Sequence, residues 1–239
     1  MNQKFNMPRE LNITLAKRNL VDYIWKSANM EGVMVTYPDT EAIFNGVNVA
    51  NYTVEEIVLV NNLKHAWRFV LDNLDYPTNF AFICKVNQLV GAGLYYHAGF
   101  LRNIPVSIGG TSWKPALPIE SKIKSELAEI FEIANFTEQA ITLMVFLMRT
   151  QMFIDGNKRT STLVANQILI NNGGGIISIA QNQINRFSDL TKTYYETNDS
   201  QELKAFLYEE CLTGVLLEAT TLQQNQEHAE LLKTFDTVN

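Results

Sequence analysis

Two runs of the chain read as helices, and the first is so apolar that it has to be buried on most faces. Residues 137–148 carry Ala140, Ile141, Leu143, Met144, Val145, Phe146, Leu147 and Met148, which leaves no polar face wide enough for a surface helix. Residues 160–171 repeat the pattern, with Leu163, Val164, Ile168 and Leu169 turned inward. Thr137 is the expected N-cap of the first run, with Phe136 and Ile141 as a hydrophobic staple. Gly173 is placed to close the second in a left-handed C-cap. A chain with two such helices in sequence is expected to be mainly α, built round that pair.

The ten residues that join them, Gln151-Met152-Phe153-Ile154-Asp155-Gly156-Asn157-Lys158-Arg159-Thr160, carry a carboxylate, a glycine, an amide and two cations in close order. Core packing does not need that order, although a helix–turn–helix connection with solvated charges would also contain it. Gly156 permits a positive φ and the close approach of a ligand. Asn157, Lys158 and Arg159 open a helix, so free N–H groups and two cations point the same way, as an anion site requires. Asp155 beside them suits Mg²⁺, which binds through one or two carboxylates plus phosphate oxygens.

Phe153, Asp155, Gly156, Asn157, Lys158 and Arg159 resemble the signature of the Fic (Fido) family, His-Pro-Phe-x-Asp/Glu-Gly-Asn-Gly/Lys-Arg, often followed by a second Arg three positions on. Three positions depart from it: Gln151 stands for the catalytic His, Met152 for Pro, and Thr162 for the second Arg. Ser27-Ala28-Asn29-Met30-Glu31-Gly32 is similar to the inhibitory Ser/Thr-x-x-x-Glu-Gly/Asn motif of one class of the family, in which a glutamate enters the ATP site. With Thr162 in place of its usual arginine partner, Glu31 is expected to face Lys158 or Arg159. Ile104-Pro105-Val106-Ser107-Ile108-Gly109-Gly110 has the alternation of a short strand and a glycine turn, read on its own as a surface hairpin. It also resembles the flap by which Fic proteins hold a target's backbone through strand addition.

The resemblance spans residues 20–215 and implies a Fic-type helical bundle with a small β-hairpin flap. It implies ATP and Mg²⁺ as cofactors, with Asp155 on the metal, Gly156 and Asn157 on the α/β-phosphates, and Lys158 and Arg159 neutralising charge. The implied reaction is AMP transfer to a Ser, Thr or Tyr hydroxyl of a protein. Gln151 is no base, and losing a general base typically lowers a rate by about 10²–10⁴-fold. Transfer is therefore expected to be weak or lost while nucleotide binding persists. The alternatives are a transferase of altered chemistry, as in the phosphate-transferring Doc branch, or a non-catalytic interaction module such as a toxin–antitoxin component.

The remaining chain is expected in three parts: an N-terminal segment with the inhibitory helix over 1–52, a core over 53–215, and a C-terminal helix or tail over 216–239 that packs or dimerises. Residues 1–10 are expected to be loosely ordered, 12–31 to form one helix and 37–49 a connecting loop. Thr53-Val54-Glu55-Glu56 is a capping box opening a helix to about Leu74. Further helices are read over 79–94, 119–134, 183–195 and 200–213. His65 and His97 are read as packing or surface residues. A net charge of −6 argues against a nucleic-acid binder. Cys84 and Cys211 are read as reduced core residues, and the lack of an apolar leader or span points to a cytosolic protein.

Overall fold

The computed structural model describes residues 1–216. The expected C-terminal helix lies outside them apart from Leu216. Ten α-helices and one two-stranded antiparallel sheet are present among the described residues: α1 (Arg9–Arg18), α2 (Leu20–Met30), α3 (Tyr37–Phe44), α4 (Val54–Asp72), α5 (Phe80–Val90), α6 (Glu120–Phe131), α7 (Phe136–Thr150), α8 (Asn157–Asn171), β1 (Ile176–Ile177), α9 (Ile184–Thr197), α10 (Gln201–Phe206) and β2 (Leu212–Thr213). The fold is mainly α, as the two apolar runs require.

Those runs are α7 and α8, and they pack on each other more extensively than any other pair. Every residue of α8 from Arg159 to Ile170 is buried, because α1, α4, α5 and α7 surround it. Its C-terminus closes as expected: Gly173 has φ +69°, Gly174 N–H donates to Leu169 O at 2.7 Å and Gly173 N–H to Ile170 O at 3.3 Å. The N-cap of α7 is Asn135 rather than Thr137; its side chain accepts from Glu138 N–H at 3.0 Å. Thr137 lies buried within the first turn, and the Phe136 ring rests on Gly174 instead of stapling to Ile141. The capping box at α4 is present in both directions, Glu56 N–H to Thr53 Oγ1 at 3.2 Å and Thr53 N–H to Glu56 Oε2 at 2.8 Å.

Five further expectations need correction. Residues 1–10 are held down: Phe5 and Met7 are buried, Met7 N–H donates to Gly173 O at 2.9 Å, and the Phe5 ring lies on Gly175 and Gly214, whose missing side chains make its seat. The helix read over 12–31 starts earlier and divides at Asn19, whose side chain donates to Leu15 O. The loop over 37–49 contains α3, because Thr36 caps it and Pro38 sits in its first turn, where a missing N–H is harmless. The sheet joins β1 to β2 (Ile176 opposite Thr213, Ile177 opposite Leu212), so residues 207–213 leave the helix read over 200–213 through a π-helical turn. No strand forms over 104–110: Val106, Ser107 and Ile108 alternate in exposure but have no partner strand, since the returning arm carries Pro115 and Pro118 and cannot supply a full ladder. No helix among the described residues is long and apolar enough to cross a membrane.

Candidate functional site

The turn from α7 to α8 starts with a strained residue. Gln151 ends α7 at φ +47°, ψ +55°, a left-handed conformation that disfavours side chains other than glycine's. It is held by its own amide and by neighbours. Gln151 Nε2 donates to Met148 O at 2.6 Å and to the Tyr195 hydroxyl at 3.2 Å, and Oε1 accepts from Asn157 Nδ2 at 3.1 Å. Tyr195 Oη in turn donates to Met148 O at 3.0 Å, and burial pushes its ionisation well above the ordinary phenol range. It is a fixed donor, not a base.

Arg102 secures the same turn from the other side. Its Nε donates to Gln151 O at 2.7 Å and its backbone N–H to Met152 O at 2.9 Å. Nη1 reaches Ile104 O at 2.9 Å, and Nη2 reaches the Pro115 and Ala116 carbonyls. One buried guanidinium therefore ties both ends of the 104–116 segment to the start of the motif. Replacing Arg102 with Met is expected to lower unfolding stability by about 3 kcal/mol, because four backbone carbonyls lose a buried charged donor at once. Urea unfolding with an unchanged midpoint would reject this role.

Past Phe153 the loop is stitched by Asn157. Its Oδ1 accepts from Phe153 N–H at 3.0 Å, and its Nδ2 donates to Phe153 O at 2.9 Å as well as to Gln151. The side-chain amide expected to meet a phosphate is thus committed inside the loop, and only the backbone N–H of Asn157 remains for an anion. Gly156 has φ +75°, as expected, but the close approach it permits is to protein: a Cβ there would meet the Tyr95 hydroxyl at 2.3 Å and Asn87 Nδ2 at 3.1 Å. Buried Asn87 also donates to Asp155 O at 3.0 Å and Thr160 Oγ1 at 3.1 Å, pinning the loop to α5.

The charged groups of the turn lie close to one another, with Lys158 half-exposed and Arg159 buried. Gly156 N–H donates to Asp155 Oδ1 at 2.6 Å, and Arg159 Nη2 donates to Asp155 Oδ2 at 3.2 Å. The Asp155 side chain is still 58% exposed. Among the described residues no cluster of three His, Cys, Asp or Glu is placed to hold a metal by itself. A single open carboxylate fits a cation held chiefly by phosphate oxygens. The Asn157 and Lys158 N–H groups at the start of α8 have no acceptor among the described residues.

Glu31 comes to this place from α2. Gly32 at φ +84° ends that helix, with Val33 N–H on Ala28 O and Gly32 N–H on Asn29 O. The turn directs Glu31 Oε2 to 3.5 Å from Arg159 Nε and Oε1 to 3.8 Å from Lys158 Nζ. These are ionic contacts without hydrogen-bond geometry: Glu31 Oε1 and Arg159 Nε and Nη1 are buried with no hydrogen-bond partner. Arg159 Nε and Nη1 are thus donors held beside carboxylates that do not fully satisfy them. Ser27 is not part of this group. It lines a separate small void beside Thr162 and Trp67.

One cavity of about 360 Å³ gathers Glu31, Val106, Ser107, Ile108, Gly109, Gln151, Asp155, Asn157 and Lys158, a volume suited to a small ligand. Arg159 backs onto it through Glu31 and Asp155, while Ile104 and Gly110 lie outside its lining. The opposite wall is α9, with Ile184, Phe187, Ser188, Thr191, Lys192 and Tyr195. The sequence reading assigned α9 no role. Its signal was a stripe at helical spacing that mixes aliphatic, aromatic and hydroxyl side chains.

Residues 77–169 match the family model described as Fic/DOC family. Among curated proteins no match is found. Similar solved structures include a Fic domain containing signaling protein from Bacteroides thetaiotaomicron, 18% identical, TM-score 0.66, covering 77% of this chain and 75% of that one. Fic-1 of C. elegans (residues 134–508) is 16% identical with TM-score 0.72, over 92% of this chain and 67% of that one. A Fic family protein from Desulfovibrio desulfuricans G20 is 16% identical with TM-score 0.67, over 81% and 62%. At these identities the likeness is one of fold.

Proposed function

Since this chain carries a Fic/DOC-family domain over residues 77–169, we propose that it binds ATP with Mg²⁺ at the start of α8 and has little or no AMP transfer, the activity the family resemblance implies. The observation that carries the reading is the meeting of three things at one cavity: Lys158 on a helix N-terminus with buried Arg159 behind it, an open carboxylate, and a glutamine whose amide is spent on the fold.

Each side chain has a task in this reading. Lys158, Arg159 and the N–H groups of Asn157 and Lys158 take the phosphates, while Gly156 gives the loop its shape. Asp155 would hold the cation, which supplies charge neutralisation at the phosphates when bound. The 104–110 segment would offer its unpaired backbone to a protein target as an edge. Gln151 Oε1 keeps a lone pair for a target hydroxyl but takes no proton from it. Glu31 occupies the charge that phosphates would otherwise meet.

Calorimetry with ATP and Mg²⁺ is the direct test. Binding that disappears when Asp155 and Lys158 are replaced by Asn and Gln supports the reading. A flat titration of both the unaltered protein and Glu31→Gly would refute it. Incubation with ATP labelled at the α- or the γ-phosphate separates residual AMP transfer from Doc-like phosphate transfer; label in neither leaves a binding or regulatory module.

A further inference from the structure

Beside the flap lies a second groove, of about 410 Å³, that the nucleotide reading does not use. Its near wall is the chain that leaves the flap, Trp113 to Ile119; its far walls are α6, α7 and α9. Leu117 and Ile119 stand on the rim, 51% and 61% exposed. Trp113, Phe146 and Tyr194 make the interior aromatic.

The charge in this groove is unbalanced. The Arg149 guanidinium lies over the Trp113 ring at 4.6 Å and 5.8 Å from that of Tyr194. Nη2 donates to Tyr195 O at 3.1 Å and Nε has no partner. Among the described residues no carboxylate comes within 4.0 Å of Arg149, so the cation has no counter-ion. The other two charges lining the groove, Lys122 and Glu126, face each other at 3.9 Å and cancel. One stacked cation in an aromatic, apolar-rimmed groove matches a carboxylate flanked by aliphatic side chains. A nucleic acid is a poor fit, since a single cation on a chain of net charge −6 offers no row of phosphate contacts.

We propose that this groove docks an extended acidic and aliphatic segment of the protein on which the neighbouring site acts. The inference rests on the protein-target reading above. Two connections make the groove part of that site. Arg102 holds the groove wall by the Pro115 and Ala116 carbonyls and the motif by Gln151 O. Arg149 itself precedes Gln151 by two residues on α7. A segment in the groove continues along the unpaired backbone of 104–108, which brings its next residues to the cavity.

The test titrates the 239-residue chain, without nucleotide, against two fluorescein-labelled octapeptides, one alternating Glu and Leu, the other Lys and Leu, read by anisotropy. The acidic peptide is expected to bind about tenfold or more tightly than the basic one and to weaken with added salt. Arg149→Gln is expected to abolish the preference. Leu117→Glu, at an exposed position that folding tolerates, is expected to weaken the acidic peptide about tenfold. Equal binding of the two peptides, no binding, or indifference to both substitutions overturns the proposal. A mass doubled in sedimentation and restored to that of one chain by Leu117→Glu assigns the groove to a second copy and overturns it as well. Calorimetry with ATP on the same preparation separates the readings: ATP binding without peptide binding rejects the groove alone, and the reverse rejects the nucleotide site alone.

Discussion

Gln151→His is expected to raise AMP transfer by about 10²–10⁴-fold, the usual contribution of a positioned general base. The rest of the turn already holds position 151 at the cavity. Arg102 fixes its carbonyl and the next one, while Tyr195 and Asn157 meet its side chain at 3.2 and 3.1 Å. An imidazole in that place would keep the Tyr195 hydroxyl beside it but would give up part of the amide's bonding to Met148 O and Asn157. A modest loss of stability is therefore expected along with the gain. An unperturbed imidazole titrates near 6.5, so the new rate should rise with pH as the ring loses its proton between about pH 5.5 and 7.5. The unaltered protein should show no such rise. The assay follows α-labelled ATP into protein, with Glu31→Gly combined so that the glutamate does not hide the effect. Absence of label in the double variant, with ATP binding retained, would show that the missing base is not what separates this chain from a transferase.

How much of this was legible in the sequence follows from what kind of interaction fixes each feature. The α7–α8 pair was plain because its apolar residues have nowhere else to go. Gly156, Gly173 and the Thr53–Glu56 box were plain because they act within a few residues. What escaped depends on residues far apart in the chain. Phe5 and Met7 find their seats only against the backbone around Gly173, Gly175 and Gly214. β2 is a strand only because Ile176 and Ile177 lie opposite it. Arg102 and Asn87 look like ordinary residues of a loop and a helix until their partners arrive from 49 and 68–73 positions away. The Asn157 amide, expected on a phosphate, bonds Phe153 and Gln151 inside the loop, partners that only the folded turn supplies. The 104–110 segment kept its alternation but not its hairpin, because alternation marks side-chain direction and a hairpin needs a second strand.

Replacing Glu31 with Gly or Gln is expected to tighten ATP–Mg²⁺ binding by roughly 5–150-fold. A unit charge 4 Å from another is worth about 1 kcal/mol in water and about 4 at the intermediate screening of a protein surface, so relief of about 1–3 kcal/mol is expected when one anion leaves a phosphate site. The geometry fixes the sign. Glu31 Oε1 and Oε2 sit 3.8 and 3.5 Å from Lys158 Nζ and Arg159 Nε, the two cations the phosphates would use, and the glutamate side chain is only 15% exposed. A phosphate must either displace it or share the cations with it. The pairing has a second consequence in the free protein. Arg159 is 3% exposed, and without Glu31 it keeps only Asp155 as counter-ion. Both variants are therefore expected to melt lower than the unaltered protein without ligand and to recover with saturating ATP, as binding to the folded state requires. Glu31→Gln preserves volume and Glu31→Gly does not, so an affinity gain shared by both belongs to charge, and one confined to Gly belongs to space. Affinity that is unchanged or lower in both would mean that Glu31 guards nothing, and that its contacts with Lys158 and Arg159 serve only to hold α2 against α8.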